Sequence, residues 1–124
     1  MLPLTVALLA VITLFQLALA AGVPWGAAAW GGAHPGTLPT RLRVASGVAG
    51  LVAYPALIAL LLRAGGVLET GWIPRLGPTG LWILTGFFGL GVVANLASRS
   101  RVERWWAPVA LLVAAGCAVL ALDV

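Results

Sequence analysis

Four stretches of this chain, residues 4–21, 44–62, 80–97 and 105–122, run for a full membrane width without one charged side chain. A helix crossing a bilayer takes about 20 mostly apolar residues. Within hydrocarbon every backbone N–H and C=O must be bonded inside the segment, so each run is expected to be a helix. A β-barrel is excluded, because the runs are continuously apolar rather than alternating. Charged residues make up only 8% of the chain against 62% apolar ones, where a typical soluble domain carries about 25% charged residues. So few charges cannot cover a water-facing globule of this size. The expectation is one all-α transmembrane domain over residues 1–124, a bundle of four helices. The first run reads as a span rather than a cleaved leader, since Met1-Leu2-Pro3 carries no positive side chain.

Seven arginines, no lysine and three acids give the net charge of +4. In a soluble domain that excess would point to nucleic acid. Here the arginines lie between the apolar runs, which fits topology signals and anionic head groups, and no nucleic-acid partner is expected. Arg41, Arg43, Arg99, Arg101 and Arg104 fall on the first and third connections, while Arg63 and Arg75 fall on the second. Basic residues in short loops mark the cytoplasmic side, so both termini are expected outside. The lone Cys117 cannot form an internal disulfide, and no Cys/His cluster offers a metal site. No cofactor is expected.

The long connection at 22–43 is rich in Gly and Pro, and loops of such length are often functional. Pro24 is placed to start a short interfacial helix ending at Gly31-Gly32, and Thr40 to cap the second span. Trp25, Trp30, Trp72 and Trp105 are expected as anchors in the head-group layer, where an indole buries its ring and bonds at its rim. The third connection is short, so the third and fourth spans should form an antiparallel hairpin. Pro55 is expected to kink the second span beside Tyr54. Ser46, Gly50 and Tyr54 share one helix face, as do Gly91, Asn95 and Ser98. Such small-residue stripes, with Gly86 and Gly89, allow backbones to approach closely in lipid.

Gln16, Ser46 and Asn95 sit at similar depth in three spans. They read either as hydrogen-bonding glue between helices or as a polar vestibule in the inner leaflet. The glue reading is preferred. Below that layer lie His34 and the five arginines, which can engage a phosphate head group by charge and bidentate geometry or serve topology alone. Glu103 is expected to neutralise one of those arginines. Glu69, Glu103 and Asp123 fall on loops or ends, which removes the buried carboxylate of a proton-coupled carrier and the carboxylate pair of an acid/base enzyme. No catalytic or nucleotide-binding motif occurs.

The run Val23-Pro24-Trp25-Gly26, Trp30-Gly31-Gly32, His34-Pro35-Gly36, Leu38-Pro39 and Arg41, followed by Asn95, Ser98, Glu103, Arg104 and Pro108, resembles a group of small, uncharacterised bacterial four-span membrane proteins. The resemblance implies a four-helix architecture in the bacterial inner membrane and no activity. Size and span count are also similar to those of small multidrug-resistance transporters, but the glutamate of their first helix is missing here.

The resulting expectation is a compact bundle, homo-oligomeric or part of a larger membrane complex, with little room for a ligand cavity of its own. The leading function is a non-enzymatic accessory or binding protein. It would engage a partner protein or anionic lipid head groups at its cytoplasmic face. A small oligomeric transporter or channel is the alternative, and a lipid-acting membrane enzyme using His34 and Glu103 comes third.

Overall fold

A computed structural model describes residues 1–124 and is helical throughout, without strands. Four helices are long and apolar enough to cross a membrane. The first is α1, Leu2–Ala20. The second runs from Thr40 to Ala64 and has three parts: α2 (Thr40–Val48), a π-helical segment (Ala49–Ala53) and α3 (Tyr54–Ala64). The third is α4, Pro78–Ala97. The fourth joins a single turn, α5 (Arg101–Arg104), to α6 (Trp106–Asp123).

The second helix starts before the expected 44, which takes Arg41 and Arg43 into its first turns. Thr40 does not cap it. Pro39 holds that position in an extended conformation, and its carbonyl accepts the N–H groups of Leu42 and Arg43 at 3.0 Å. Pro55 acts one turn upstream of itself. It has no N–H to give the carbonyl of Leu51, and its ring crowds that carbonyl. The chain answers by widening: the N–H of Tyr54 bonds the carbonyl of Ala49, five residues back. A π-segment of this kind lets one extra residue into the helix without breaking it.

Packing runs through α1. It touches α2, the π-segment and α3 on one side and α6 on the other, while α4 packs mainly on α6. The core joins Leu9, Leu61, Leu81, Phe88, Val113 and Cys117. Two glycines set how closely α1 is approached. A Cβ on Gly116 would collide with Thr5, and one on Gly50 would lie 2.8 Å from the Leu17 side chain. The Ser46–Gly50 stripe therefore faces α1, and Ser46 is fully buried. Gly91 is a looser contact, 3.8 Å from the Ala110 methyl. Gly86 and Gly89 are not close-approach points: nothing lies within 4 Å of either, because that face of α4 points away from the bundle.

The first connection does not form the expected helix. It makes two 3-10 turns, Gly26–Ala28 and Trp30–Gly32. Positive φ at Gly31, Gly32 and Gly36 allows the chain to fold back on itself. The N–H of Gly26 bonds the Gly36 carbonyl at 2.8 Å, and a Cβ on Gly26 would strike the carbonyl oxygens of His34 and Gly36. Ala29 and Leu38 are buried with Leu19 at the end of α1. The connection is thus folded under the bundle. The Ser100 hydroxyl donates to the Ala27 carbonyl, which ties the first and third connections together at one end.

Candidate ligand cleft at the arginine-bearing end

The room the bundle leaves is not an enclosed cavity but an open-sided one. A half-open cleft of about 500 Å³ lies at the end of the bundle that carries the first and third connections. α3 and α4 contribute Leu61 and Leu81 to one core near the opposite end. The cleft is walled by Ile12, Phe15 and Gln16 of α1, Ala49 and Tyr54 around the π-segment, and Phe87, Gly91, Ala94 and Asn95 of α4. Trp106 and Val109 of α6 complete the sides. Ala28, Ala29 and Trp30 of the folded connection close the end. Phe87 and Leu90 stand at the mouth on the outer face of α4, so the opening is lateral.

Of the expected polar layer, Gln16 and Asn95 line this cleft and Ser46 does not. None of them bridges two of the four long helices. The Asn95 amide donates to its own helix, to the Gly91 carbonyl at 2.8 Å. Gln16 Oε1 is buried with no hydrogen-bond partner. The Ser46 hydroxyl accepts the Trp30 indole N–H at 3.1 Å, which ties the connection to α2. Trp30 is therefore a wall of the cleft as well as an expected anchor. Its φ of 51° is the only positive value outside glycine, a strained conformation for a bulky residue and one that clusters at ligand clamps. Trp72 and Trp105 are well exposed, at 82% and 75%. Trp25 stacks on Phe15 with ring centres 6.3 Å apart, and Phe15 in turn meets Trp106 at 4.8 Å.

Glu103 departs most from expectation. It is neither loop-borne nor paired with an arginine: the residue is 7% exposed and lines the cleft, and its Oε2 is buried without a hydrogen-bond partner. Two arginines expected nearby are engaged with backbone. Arg43 Nε donates to the Ala20 carbonyl at 3.1 Å. Arg104 donates to the carbonyls of Ser98 at 2.9 Å and Arg99 at 3.4 Å. Arg41, Arg99 and Arg101 are exposed, and no arginine lines the cleft. His34 lies outside it too, in the folded connection, with its Nδ1 buried and unbonded.

The sequence did carry a signal for Glu103. Ser100-Arg101-Val102-Glu103 has the spacing of a capping box, which opens a helix and draws the glutamate into its first turn. One half of that box forms, with the Ser100 hydroxyl accepting the Glu103 N–H at 3.3 Å. In the other half the glutamate would bond the Ser100 N–H, but Ser98 Oγ takes that donor at 3.1 Å. The carboxylate is left free for the cleft. Tyr54, Phe15 and Trp106 were equally unmarked as cleft residues, because nothing in a run of apolar residues says which helix faces diverge.

Comparison with protein families, with curated proteins and with solved structures finds no match for this chain.

Proposed function

We propose that this chain is a four-span integral membrane protein of the bacterial inner membrane with both termini outside. Its role is non-enzymatic: it binds a small, partly apolar ligand in the cleft between α1, α4 and α6. The observation that carries this reading is that Gln16 and Glu103 both line one cavity, and each carries a buried acceptor oxygen, Oε1 and Oε2, that meets no protein donor. Buried polar atoms are normally satisfied. Two that are not, on residues of one cleft of ligand size, mark a place where something else supplies the donors. The cleft holds one carboxylate, Glu103, with no second beside it and no serine, cysteine or histidine in its wall, which favours binding over catalysis. The arginines at the same end serve topology and attract anionic head groups around the mouth.

The test is saturable energy transfer from cleft tryptophans to a neutral fluorescent probe, N-phenyl-1-naphthylamine, in protein-loaded lipid nanodiscs. Trp30 and Trp106 line the site. Ala94, an exposed residue of the cleft wall, can be enlarged without entering the core. Saturable transfer that Ala94→Phe abolishes is the expected result. Transfer that rises linearly with probe, as in lipid alone, ends the reading.

A second reading, a small transporter working as an oligomer, draws on one observation. The wall at Ala49 belongs to the π-segment and Tyr54 follows directly on it at the start of α3, and π-segments recur at functional sites. Ligand flux into sealed proteoliposomes separates a carrier from a binding protein.

A further inference from the structure

We propose that the cleft takes a protonated amine bearing an apolar group, with the ammonium held by Glu103 and Gln16. The inference rests on the cleft being a binding site and names the class of its ligand.

The two unpartnered atoms are both acceptors, a carboxylate oxygen and an amide oxygen. They ask for N–H or O–H donors and reject an anion. A carboxylate withdrawn from water also needs a countercharge, since an unpaired buried charge is costly. The protein supplies none: no arginine lines the cleft, and Arg43 and Arg104 hold backbone carbonyls. An ordinary structural duty for Glu103, closing the capping box, is already filled by Ser98. What remains is a cationic donor from outside. An ammonium group offers three N–H bonds, and the cleft wall presents both a carboxylate, Glu103, and an amide, Gln16, as acceptor residues.

The rest of the wall fits the same ligand. Phe15, Trp30, Tyr54 and Trp106 surround the cavity with aromatic rings, whose faces attract cations. The indole N–H of Trp30, which would otherwise compete as a donor, is held away by Ser46. Beyond the Phe15–Trp106 pair lies a second groove, lined only by apolar residues including Trp25, Val102 and Trp105. Within a bilayer such a ligand lies with its charge at head-group depth and its tail in lipid. The lateral mouth at Phe87 and Leu90 suits entry from that position.

The experiment uses the full chain in nanodiscs of zwitterionic lipid, with empty nanodiscs as reference, and three probes of one shape: 4-phenylbutylamine, 4-phenyl-1-butanol and 4-phenylbutanoate. Affinities are read by competition against the fluorescent probe. Charge-assisted hydrogen bonds are about twice as strong as neutral ones, so the amine should bind at least about tenfold tighter than the alcohol, equivalent to about 1.4 kcal/mol. The carboxylate should bind weakest. Glu103→Gln keeps the side chain's size and removes its charge, and should bring amine and alcohol level. Asp123→Asn, which removes an equal charge from the opposite end of α6, should leave the amine preference intact.

The order of the three probes on the unaltered protein decides the matter even if Glu103→Gln fails to fold. Amine and alcohol binding equally would overturn the amine assignment and leave the cleft as a neutral binding site. So would the carboxylate binding tightest, or loss of the preference in Asp123→Asn. If none of the three competes, the binding site itself falls with it.

Discussion

Gly116 is the tightest point between α1 and α6, and Gly116→Ala measures how much that crossing matters. A methyl group there would overlap Thr5 Oγ1, with Thr5 Cβ at 2.9 Å and Cγ2 at 3.1 Å. The Thr5 hydroxyl cannot swing away freely, because it donates to the Met1 carbonyl at 2.8 Å in its own helix. The helices must therefore separate or the threonine must change rotamer. Overfilling a packed contact costs ~1–3 kcal/mol. Against that, alanine is favoured over glycine in a helix interior by ~1 kcal/mol. The net expectation runs from about no change to a loss of ~2 kcal/mol, so the single substitution is not decisive. A double-substitution cycle is. In a Thr5→Gly background all the clashing atoms are gone, and Gly116→Ala should there stabilise by the propensity term alone. The coupling between the two positions should then be ~1–3 kcal/mol, well outside the ~0.5 kcal/mol expected of independent sites. Reversible unfolding in mixed micelles of increasing denaturing detergent reads both backgrounds. Equal effects of Gly116→Ala in the two would refute the close crossing.

Three further expectations follow from the same geometry. Ser46→Ala removes the acceptor of the Trp30 indole, should cost about 1 kcal/mol, and should loosen Trp30 enough to raise its quenching by a lipid-phase quencher; unchanged quenching contradicts the bond. Gly26→Ala places a methyl against the His34 and Gly36 carbonyls, so the connection should open and protease cleavage between residues 22 and 39 should become faster. From the arginine distribution, a reporter fused after Val124 should be active outside the cytoplasm and silent within it, and the reverse pattern rejects the orientation.

Much of this architecture was legible because each run answers to one constraint. Uncharged segments of membrane width can only be helices, and the helices appear where the runs are, a few residues longer at the second and fourth. Ser46 and Gly50 were readable as a contact stripe because spacing along one helix places them on one face. Spacing could not say which partner they meet, and Gly86 and Gly89 show the consequence: the same residue type on α4 faces outward. The folded connection was the hardest part to read. Its shape depends on Gly26 meeting Gly36 and on Ser100 reaching Ala27, 73 residues away, and neither contact leaves a periodic trace.

Glu103 shows why one polar residue can be misread in an otherwise transparent sequence. Counting it among the arginines of the third connection treated position along the chain as position in space. The helix begins two residues before it, and in an α-helix each residue turns about 100° from the last. Arg101, Val102 and Arg104 accordingly point outward and are exposed, while Glu103 alone of that turn points in. A turn with a single inward residue, and a carboxylate chosen for it, is costly in an apolar bundle unless a donor arrives to meet it. The acid is thus separated from its basic neighbours by the helical twist, and the cleft holds a negative group at the end of the molecule richest in positive ones. A basic face of this kind attracts anionic head groups, while the amine site proposed for the cleft would refuse that charge and take its opposite.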